Sequence, residues 1–396
     1  MANSLQQIVA VTALNIRSVP SRLGSSLVIV IGIAGVVGVM VALLSMARGF
    51  EATLASTGRP DRAIVLRGGS NDELGSVVFR DKATVIKQTP GIKKGPDGQP
   101  LVVAEKYVLT SVARIGSTEP NNIVVRGTEA RALLVRPEVK LIEGRMFNPG
   151  MYEVIVGRAA VGQFAHLRLG DKVAIRNGDW TVVGIFTSGG DVHESELWVD
   201  LETLMAAAKS PAMASVTAQL ESAAAFPAFK DALTTDPQLT VKVQREPEYY
   251  ASRSEALNTL INVLGYTVAI IMAIGAVFGA LNTMYAAVSA RTIEIGTLRA
   301  IGFNATPLVI SVMLEALLLA LAGGVLGAAI AYVVFNGYTV STLNFQTFSQ
   351  VAFDFRVTPD LLVQGIVWAS GIGLIGGLFP ALRAANLPIV EALRSA

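Results

Sequence analysis

Four long apolar runs constrain what this chain can fold into more than any other feature. Residues 23–46 hold 24 residues without a charge, residues 256–290 hold 35, residues 301–336 are interrupted only by Glu315, and residues 361–382 carry none. A helix of about 20 apolar residues crosses a bilayer, whereas a signal peptide has an apolar core of only about 7–15. The sequence therefore predicts an integral membrane protein with four transmembrane helices, the first of them uncleaved.

Charged residues are concentrated between the first and second apolar runs. The chain is 52% hydrophobic and 16% charged, against about 25% charged in an average soluble domain. Every lysine lies between Lys82 and Lys242. We therefore expect one large soluble domain between helices 1 and 2. The net charge of +2 gives no sign of a nucleic-acid partner.

The arginines near the span ends predict the orientation, because cytoplasmic loops carry an excess of Lys and Arg. Six arginines lie on the side of the termini and three on the other: Arg17, Arg22, Arg291, Arg299, Arg383 and Arg394 against Arg48, Arg253 and Arg356. We therefore expect both termini in the cytoplasm and the large domain outside. An apolar period from Leu5 to Ile16 predicts an N-terminal amphipathic helix that lies on the membrane surface or extends helix 1.

The predicted segments follow from these runs. They are the cytoplasmic N-terminal helix (1–22), helix 1 (23–48), the extracytoplasmic domain (49–255), helix 2 (256–290), a short cytoplasmic helix (291–302), helix 3 (303–336), an extracytoplasmic loop (337–360), helix 4 (361–382) and a cytoplasmic tail (383–396).

The extracytoplasmic domain is predicted to be α+β. Residues 102–113 and 154–157 have the composition of strands, and residues 173–175 and 180–186 flank Asn177-Gly178, a two-residue hairpin signal. Helical patterns follow at 201–208 and 223–234. We expect a strand-rich subdomain at about 100–200 and a second one built from both flanks.

The sequence carries no recognisable catalytic or metal-binding motif. HExxH, GxSxG and P-loop patterns are absent, and the lack of cysteine excludes thiolate metal sites and cysteine nucleophiles. The polar run 191–196 could hold zinc or calcium through its carboxylates and His193, but the simpler interpretation is a solvated loop. We predict no catalytic residue, no metal site and no cofactor on this chain, which is therefore not expected to be an enzyme.

Small residues and one carboxylate mark the membrane helices. Glycines four residues apart allow close helix packing in lipid, and helices 3 and 4 carry two such pairs: Gly323 and Gly327, and Gly373 and Gly377. Glu315 is the one carboxylate at membrane depth, where ionisable groups are functional candidates. It either stabilises helix packing or takes part in coupling.

The short segment 291–302 between helices 2 and 3 is predicted to form an amphipathic helix. Ile295 and Leu298 share a face, Arg291, Glu294 and Arg299 lie beside it, and Gly302 can end the helix. Such a helix suits a socket for a partner protein, although an ordinary surface connector has the same pattern.

At this segment the chain resembles a known family. The run Arg-x-x-Glu-Ile-Gly-x-Leu-Arg-Ala-x-Gly at 291–302 resembles the signature of MacB/FtsX-type ABC transporter permeases. Further similarities are Glu315, the Gly323-Gly324-x-x-Gly327 motif, the tail motif at 380–394 and the run 153–157 in the outer domain. The resemblance extends over nearly the whole chain, and the order of its motifs is more specific than any one of them.

The resemblance implies a role for each of these segments. The 291–302 helix would be a coupling helix that docks on an ABC ATPase through Arg291, Glu294, Ile295, Gly296, Leu298, Arg299 and Gly302. The membrane helices would couple or pack through Glu315, Gly323, Gly324, Gly327, Gly373 and Gly377. The macrolide exporter of the family has a fused ATPase domain that is not apparent in this sequence, so we expect ATP and Mg to be bound by a separate subunit.

The resemblance also implies partners and a mechanism. Two permeases, expected to be identical, would pair with two ATPases in a bacterial inner (plasma) membrane. ATP hydrolysis would then move the periplasmic domain, a mechanism called mechanotransmission, to export a drug, lipid, lipoprotein or peptide-like substrate. The large outer domain favours a branch that works with a periplasmic membrane-fusion adaptor and an outer-membrane duct. The alternative is an FtsX-like transmembrane regulator that activates an extracytoplasmic enzyme.

Overall fold

The chain divides into two compact units. The computed structural model describes residues 7–9, 11–13, 23–117, 119–344, 349–386 and 388. The helical unit comprises Met1–Arg48, Thr259–Tyr338 and Phe355–Ala396, and the sheet unit comprises Gly49–Asn258 and Thr339–Asp354.

The elements are numbered in chain order over the described residues. The helices are α1 (Leu23–Ser56), α2 (Arg80–Lys87), α3 (Ala132–Val135), α4 (Arg158–Val161), α5 (Leu201–Ala207), α6 (Phe226–Thr234), α7 (Glu246–Ser289), α8 (Thr292–Ala300), α9 (Ala305–Phe335) and α10 (Pro359–Ala385). The strands are β1 (Arg62–Arg67), β2 (Val102–Ala113), β3 (Pro120–Thr128), β4 (Lys140–Gly144), β5 (Glu153–Gly157), β6 (Lys172–Ile175), β7 (Gly178–Thr187), β8 (Glu196–Asp200), β9 (Ser215–Gln219), β10 (Val241–Arg245), β11 (Thr339–Asn344) and β12 (Ser349–Asp354).

Four helices of the described chain are long and apolar enough to cross a membrane: α1, α7, α9 and α10. They contain 34, 44, 31 and 27 residues, against the roughly 20 that one crossing needs. The strands β1 to β10 of the large domain lie between α1 and α7 in the chain. This confirms the predicted fold class, a four-span membrane protein with an α+β domain between helices 1 and 2.

Two of the long helices extend beyond the predicted membrane spans. Helix 1 was predicted to end at residue 48 and helix 2 to begin at 256, but α1 runs to Ser56 and α7 begins at Glu246. Charged residues interrupt an apolar run, which set the predicted boundary, but they do not end the helix. The start of α7 is set instead by Pro247 in its first turn, directly after strand β10, where proline is favoured.

The predicted N-terminal helix and C-terminal tail are described only in part. Residues 7–9 and 11–13 are helical, and Gln7 and Val11 are buried. The remainder of 1–22 lies outside the described residues, as do 387 and 389–396 of the predicted tail. Residues 383–385, which were assigned to the tail, are the last turn of α10.

The predicted extracytoplasmic loop 337–360 contains a β-hairpin instead. Strands β11 and β12 pair antiparallel from Thr339 opposite Asp354 to Asn344 opposite Ser349, and the hairpin belongs to the sheet unit. The Ala352 amide donates to Ser195 Oγ at 3.0 Å. The hairpin was not predicted because β12 is buried at five consecutive positions and therefore shows no period of two.

The sheet unit is built on one mixed sheet. Its ten described strands follow the order β10-β1-β9-β2-β3-β8-β5-β7-β4, with β6 paired to β7. The pairs β3–β8 and β5–β7 are parallel and the others antiparallel. Strands β2 to β8 come from the region predicted to be strand-rich, but β2 also pairs with β9. The two predicted subdomains therefore share a continuous sheet.

Candidate functional site

The predicted coupling segment forms helix α8 in the helical unit. Its C-terminal end has the hydrogen bonds of a Schellman motif: Phe303 N donates to Leu298 O at 3.0 Å and Gly302 N to Arg299 O at 3.1 Å. Gly302 has φ +100°, a left-handed conformation that strains any residue with a Cβ atom. The glycine therefore ends α8 and turns the chain toward α9.

One face of α8 packs into the helical unit. Ile295 is only 7% exposed and Gly296 is buried, while Leu298 packs against the same apolar cluster as Met284 and Leu308. These three motif residues were expected to contact a partner protein. Ile295 belongs to the apolar core of the helical unit, and the contact of these three residues with an ATPase stays a prediction.

The opposite face of α8 is open. Ile293 is 47% and Ile301 69% exposed, and the side chain of Glu294 is 70% exposed. Neither isoleucine is among the residues predicted from the sequence to contact a partner. Their spacing of eight residues, which puts both on one side of a helix, was the signal that could have identified them.

Two arginines tie α8 to the neighbouring helices. Arg291 Nη1 lies 3.5 Å from Glu315 Oε2 on α9, and Arg291 Nε lies 3.3 Å from Glu294 Oε2. Arg299 Nη1 donates to the Ala385 carbonyl at 2.6 Å, at the end of α10 where helix carbonyls carry partial negative charge. The structure thus brings Arg291, Arg299 and Glu315 together as supports of α8.

The predicted glycines lie where helix backbones approach closely. A Cβ atom on Gly323 would come within 2.7 Å of the Val30 carbonyl of α1, and one on Gly327 would clash with the Ala34 carbonyl. A Cβ atom on Gly324 would lie 2.7 Å from the Ala369 methyl of α10.

The glycines of α10 make the reciprocal contacts with α9. A Cβ atom on Gly377 would lie 2.6 Å from the Ala316 methyl, and one on Gly373 would overlap the Ala320 methyl. The five glycines together let α1, α9 and α10 approach with backbone against backbone, as small residues do in lipid.

The polar run 191–196 is not the solvated loop that was predicted. Val192–Ser195 forms a buried 3₁₀ turn, and His193 is fully buried. His193 Nδ1 lies 3.0 Å from Glu196 Oε2. Over the ranges that the structure describes, no cluster of three or more His, Asp or Glu side chains could hold a metal ion.

The run instead joins a buried ion-pair network that crosses the sheet unit. Arg126 contacts Glu73, Glu105 and Glu196 at 2.7–3.2 Å. Arg136 Nη1 lies 2.7 Å from Glu105 Oε1. Burial alone would raise the pKa of Glu105, but the two arginines outweigh it and hold the pKa at about 2.

The network also holds the first residue of α7. Glu246 Oε2 accepts from Arg62 Nε at 2.5 Å, and Glu246 Oε1 lies 3.3 Å from Arg136 Nη2. All three side chains are fully buried. Removing one partner of such a pair leaves a buried charge uncompensated, so this network fixes the root of α7 in the sheet unit. It offers no exposed nucleophile or acid–base pair.

These features define a class before any comparison is made: a four-span membrane protein with an α+β domain between its first two spans and a short helix between the second and third. Residues 24–236 match the MacB-like periplasmic core domain, and residues 266–389 match the FtsX-like permease C-terminal domain. The chain belongs to the MacB/FtsX family of ABC transporter permeases.

Similar proteins include curated members of this family. The macrolide export ATP-binding/permease protein MacB of Bdellovibrio bacteriovorus is 25% identical over 96% of this chain and 59% of its own length. MacB 2 of Yersinia pestis bv. Antiqua is 31% identical over 35% of this chain and 19% of its own. The chain thus spans about 59% of the first relative and a smaller part of the second.

Two solved structures are similar to part of the chain. The extracellular domain of the noncanonic ABC-type transporter YknZ from Gram-positive bacteria matches 46% of this chain and all of that domain, at 18% identity and a TM-score of 0.36. The periplasmic region of MacB from Actinobacillus actinomycetemcomitans matches 48% of this chain and 92% of that region, at 12% identity and a TM-score of 0.36.

Proposed function

We propose that this chain is a permease subunit that couples ATP hydrolysis by a separate ABC ATPase to motion of its periplasmic domain. The observation that carries the proposal is the two-sided character of α8. Arg291 and Arg299 hold one side on α9 and α10, while Ile293, Glu294 and Ile301 leave an apolar and acidic surface open. A helix fixed on one side and exposed on the other can receive a force and pass it on.

The connections between helices and sheet support the same proposal. Helix α7, at 44 residues, is about 66 Å long, and like α1 it has residues in both units. Its first residue is anchored by Arg62 and Arg136. The hairpin that joins α9 to α10 belongs to the sheet unit. Every span is therefore covalently continued into the domain that we expect to move.

The partners follow from this proposal. We expect two copies of the permease, two ATPase subunits that bind ATP and Mg, and cytoplasmic termini in the inner membrane. A periplasmic membrane-fusion adaptor and an outer-membrane duct would complete an exporter of drugs, lipids, lipoproteins or peptide-like molecules. Helix surfaces around Gly275 and Gly279, where a Cβ atom would meet nothing within 4 Å, are open for the second copy.

The first experiment tests the ATPase assignment. The chain has no cysteine, so a single Glu294→Cys variant can be cross-linked specifically in native membranes. The expected result is a cross-linked complex that hydrolyses ATP after purification. An Asp97→Cys variant, whose side chain is exposed in the sheet unit, is the matched control and should not capture the ATPase.

A second assay separates transport from regulation. An exporter should show ATP hydrolysis that its substrate stimulates, and deletion of the gene should sensitise cells to an exported compound. A regulator of the FtsX kind would retain the ATPase complex but lack both properties, and would change cell-envelope hydrolysis instead. Failure to recover any ATP-hydrolysing complex would contradict both candidate functions.

A further inference from the structure

Arg253, on α7 in the sheet unit, is a buried cation without a carboxylate partner among the described residues. It is 5% exposed. Its guanidinium lies over the rings of Tyr249 and Tyr250, at 4.2 Å and 5.9 Å from their centroids. Its Nε and Nη2 atoms are buried and have no hydrogen-bond acceptor in the described structure. Arginine stays protonated, and the Glu73 carboxylate offsets its charge from beyond ion-pair distance. The unsatisfied feature is therefore the pair of buried N–H groups that lack an acceptor.

A small cavity lies beside this guanidinium. Its volume is about 10 Å³, which is close to the smallest volume that holds one water molecule. The polar residues that line it are Tyr107, Ser195, Glu196, Tyr250, Arg253 and Ser349, together with Gln350. It therefore has room for a single atom or small molecule and excludes sulfate, phosphate and nucleotides.

The unsatisfied atoms around the cavity are mainly donors. Three buried groups lack an acceptor or partner in the described part of the chain: Arg253 Nε, Arg253 Nη2 and the Tyr250 hydroxyl. A water molecule accepts about two hydrogen bonds, whereas a monatomic anion accepts every donor that points at it. An anion would also compensate the guanidinium charge.

Two oxygens near the cavity could oppose an anion. Glu196 already accepts from Arg126, His193 and Trp198, at 2.8–3.0 Å. Burial lowers the pKa of His193, but Glu196 and Asp191 outweigh it and raise the pKa above its ordinary value. A protonated His193, together with Arg126, compensates the negative charge of the Glu196 carboxylate. Gln350 Oε1 has no partner, while its Nε2 donates to Asn121 at 3.3 Å. Turning this amide breaks one long hydrogen bond and supplies another donor.

We propose that this cavity is a binding site for one monatomic anion, a halide such as chloride, held by Arg253 and the Tyr250 hydroxyl. The site joins separate elements: the last turns of α1 at Leu54, the first turns of α7, the Val192–Ser195 turn and strand β12 of the hairpin. A bound halide therefore holds the hairpin against the rest of the sheet unit. This proposal does not depend on the proposed function.

Thermal unfolding of the full chain in detergent tests the site. Trp180 and Trp198 are fully buried in the sheet unit, so tryptophan fluorescence reports on that unit once Trp368 of α10 is replaced by phenylalanine. At constant ionic strength, chloride and bromide should raise the unfolding temperature in a saturable way, whereas gluconate and sulfate should not. Hydrogen exchange at Ala352, whose amide bonds Ser195 Oγ, should slow with the same halide midpoint.

Substitutions at the site decide the assignment. Arg253→Gln should abolish the halide response. Tyr250→Phe keeps the ring but removes one donor to an anion, so the halide midpoint should rise about tenfold. Arg80→Gln, which alters an exposed arginine of the same unit, should leave the response unchanged.

The proposal is overturned if unfolding is the same in chloride and gluconate, or if Tyr250→Phe has an unaltered midpoint. The second criterion holds even if Arg253→Gln does not fold. A bromide-soaked crystal without an anomalous peak beside Arg253, with water density there instead, would also overturn it. An anomalous peak within hydrogen-bond distance of the guanidinium would support it directly.

Discussion

The exposed isoleucines of α8 provide the sharpest test of the proposed ATPase contact. We predict that the double variant Ile293→Glu, Ile301→Glu detaches the ATPase while the permease still folds and inserts. Both side chains are largely exposed in the free chain, so replacing them costs little folding stability. In the complex, each substitution places a carboxylate in an apolar contact, which is unfavourable without a partner.

The magnitude follows from the exposed fractions. Full burial of an isoleucine side chain contributes about 1.5–3 kcal/mol. Ile301 is 69% and Ile293 47% exposed, so covering both would contribute roughly 2–3 kcal/mol. Losing that term alone weakens binding by roughly 30- to 150-fold. Desolvation of two carboxylates adds to it, so the predicted loss of affinity is at least about a hundredfold.

The assay is ATP hydrolysis by the affinity-purified permease complex, normalised to permease. The matched control is Ile115→Glu, which makes the same chemical change at an isoleucine of the sheet unit that is 58% exposed. The control should retain full activity, and both variants should unfold at the wild-type temperature. Wild-type ATPase recovery in the double variant would refute the assignment of this face.

Three further changes test the supports of the site and the buried network. Ile295→Glu puts a charge into the apolar core of the helical unit, so it should lower the unfolding temperature and the membrane yield of the permease itself, unlike Ile293→Glu. In a double-mutant cycle of Arg291→Gln and Glu315→Gln, unfolding should give a coupling energy of about 1–2 kcal/mol, and zero coupling would contradict the ion pair. Burial raises the pKa of Asp191 from 3.8 to about 6, so its stabilising contribution is complete below pH 4 and is lost as the pH rises through 6. Asp191→Asn should therefore flatten the fall in unfolding temperature between pH 5 and 7.5, a difference worth about 1.4 kcal/mol, and an unchanged pH profile would contradict the shift.

Much of the architecture could be predicted from the sequence because it depends on local patterns. The four apolar runs correspond to α1, α7, α9 and α10 because a bilayer requires long uncharged helices whatever their partners are. The Asn177-Gly178 signal likewise indicates the hairpin of β6 and β7, although the two-residue loop is Arg176-Asn177, one position earlier, because Ile175 pairs with Gly178. Gly302 ends α8 because a left-handed residue is needed there.

Other features depend on contacts between distant residues and could not be predicted. The run 191–196 looked solvated because it is polar, yet Glu196 is buried by Arg126, which lies 70 residues earlier in the chain. The burial of Ile295 in the helical unit was likewise not predicted, because the orientation of α8 depends on the contact of Arg299 with Ala385, 86 residues away. Periodicity gives the faces of a helix but does not say which face is covered.

The distance between the sheet units of the two proposed permease copies shows whether ATP hydrolysis moves the outer domain. In the cysteine-free chain, an Asp179→Cys variant carries one spin label at an exposed position near the start of β7 in the sheet unit. Double electron–electron resonance on the reconstituted permease–ATPase complex would then measure the distance between the two labels in the ADP state and in the ATP–vanadate state. The account predicts a distance distribution that shifts between the two states. An identical distribution in both states, in a complex that actively hydrolyses ATP, would contradict it.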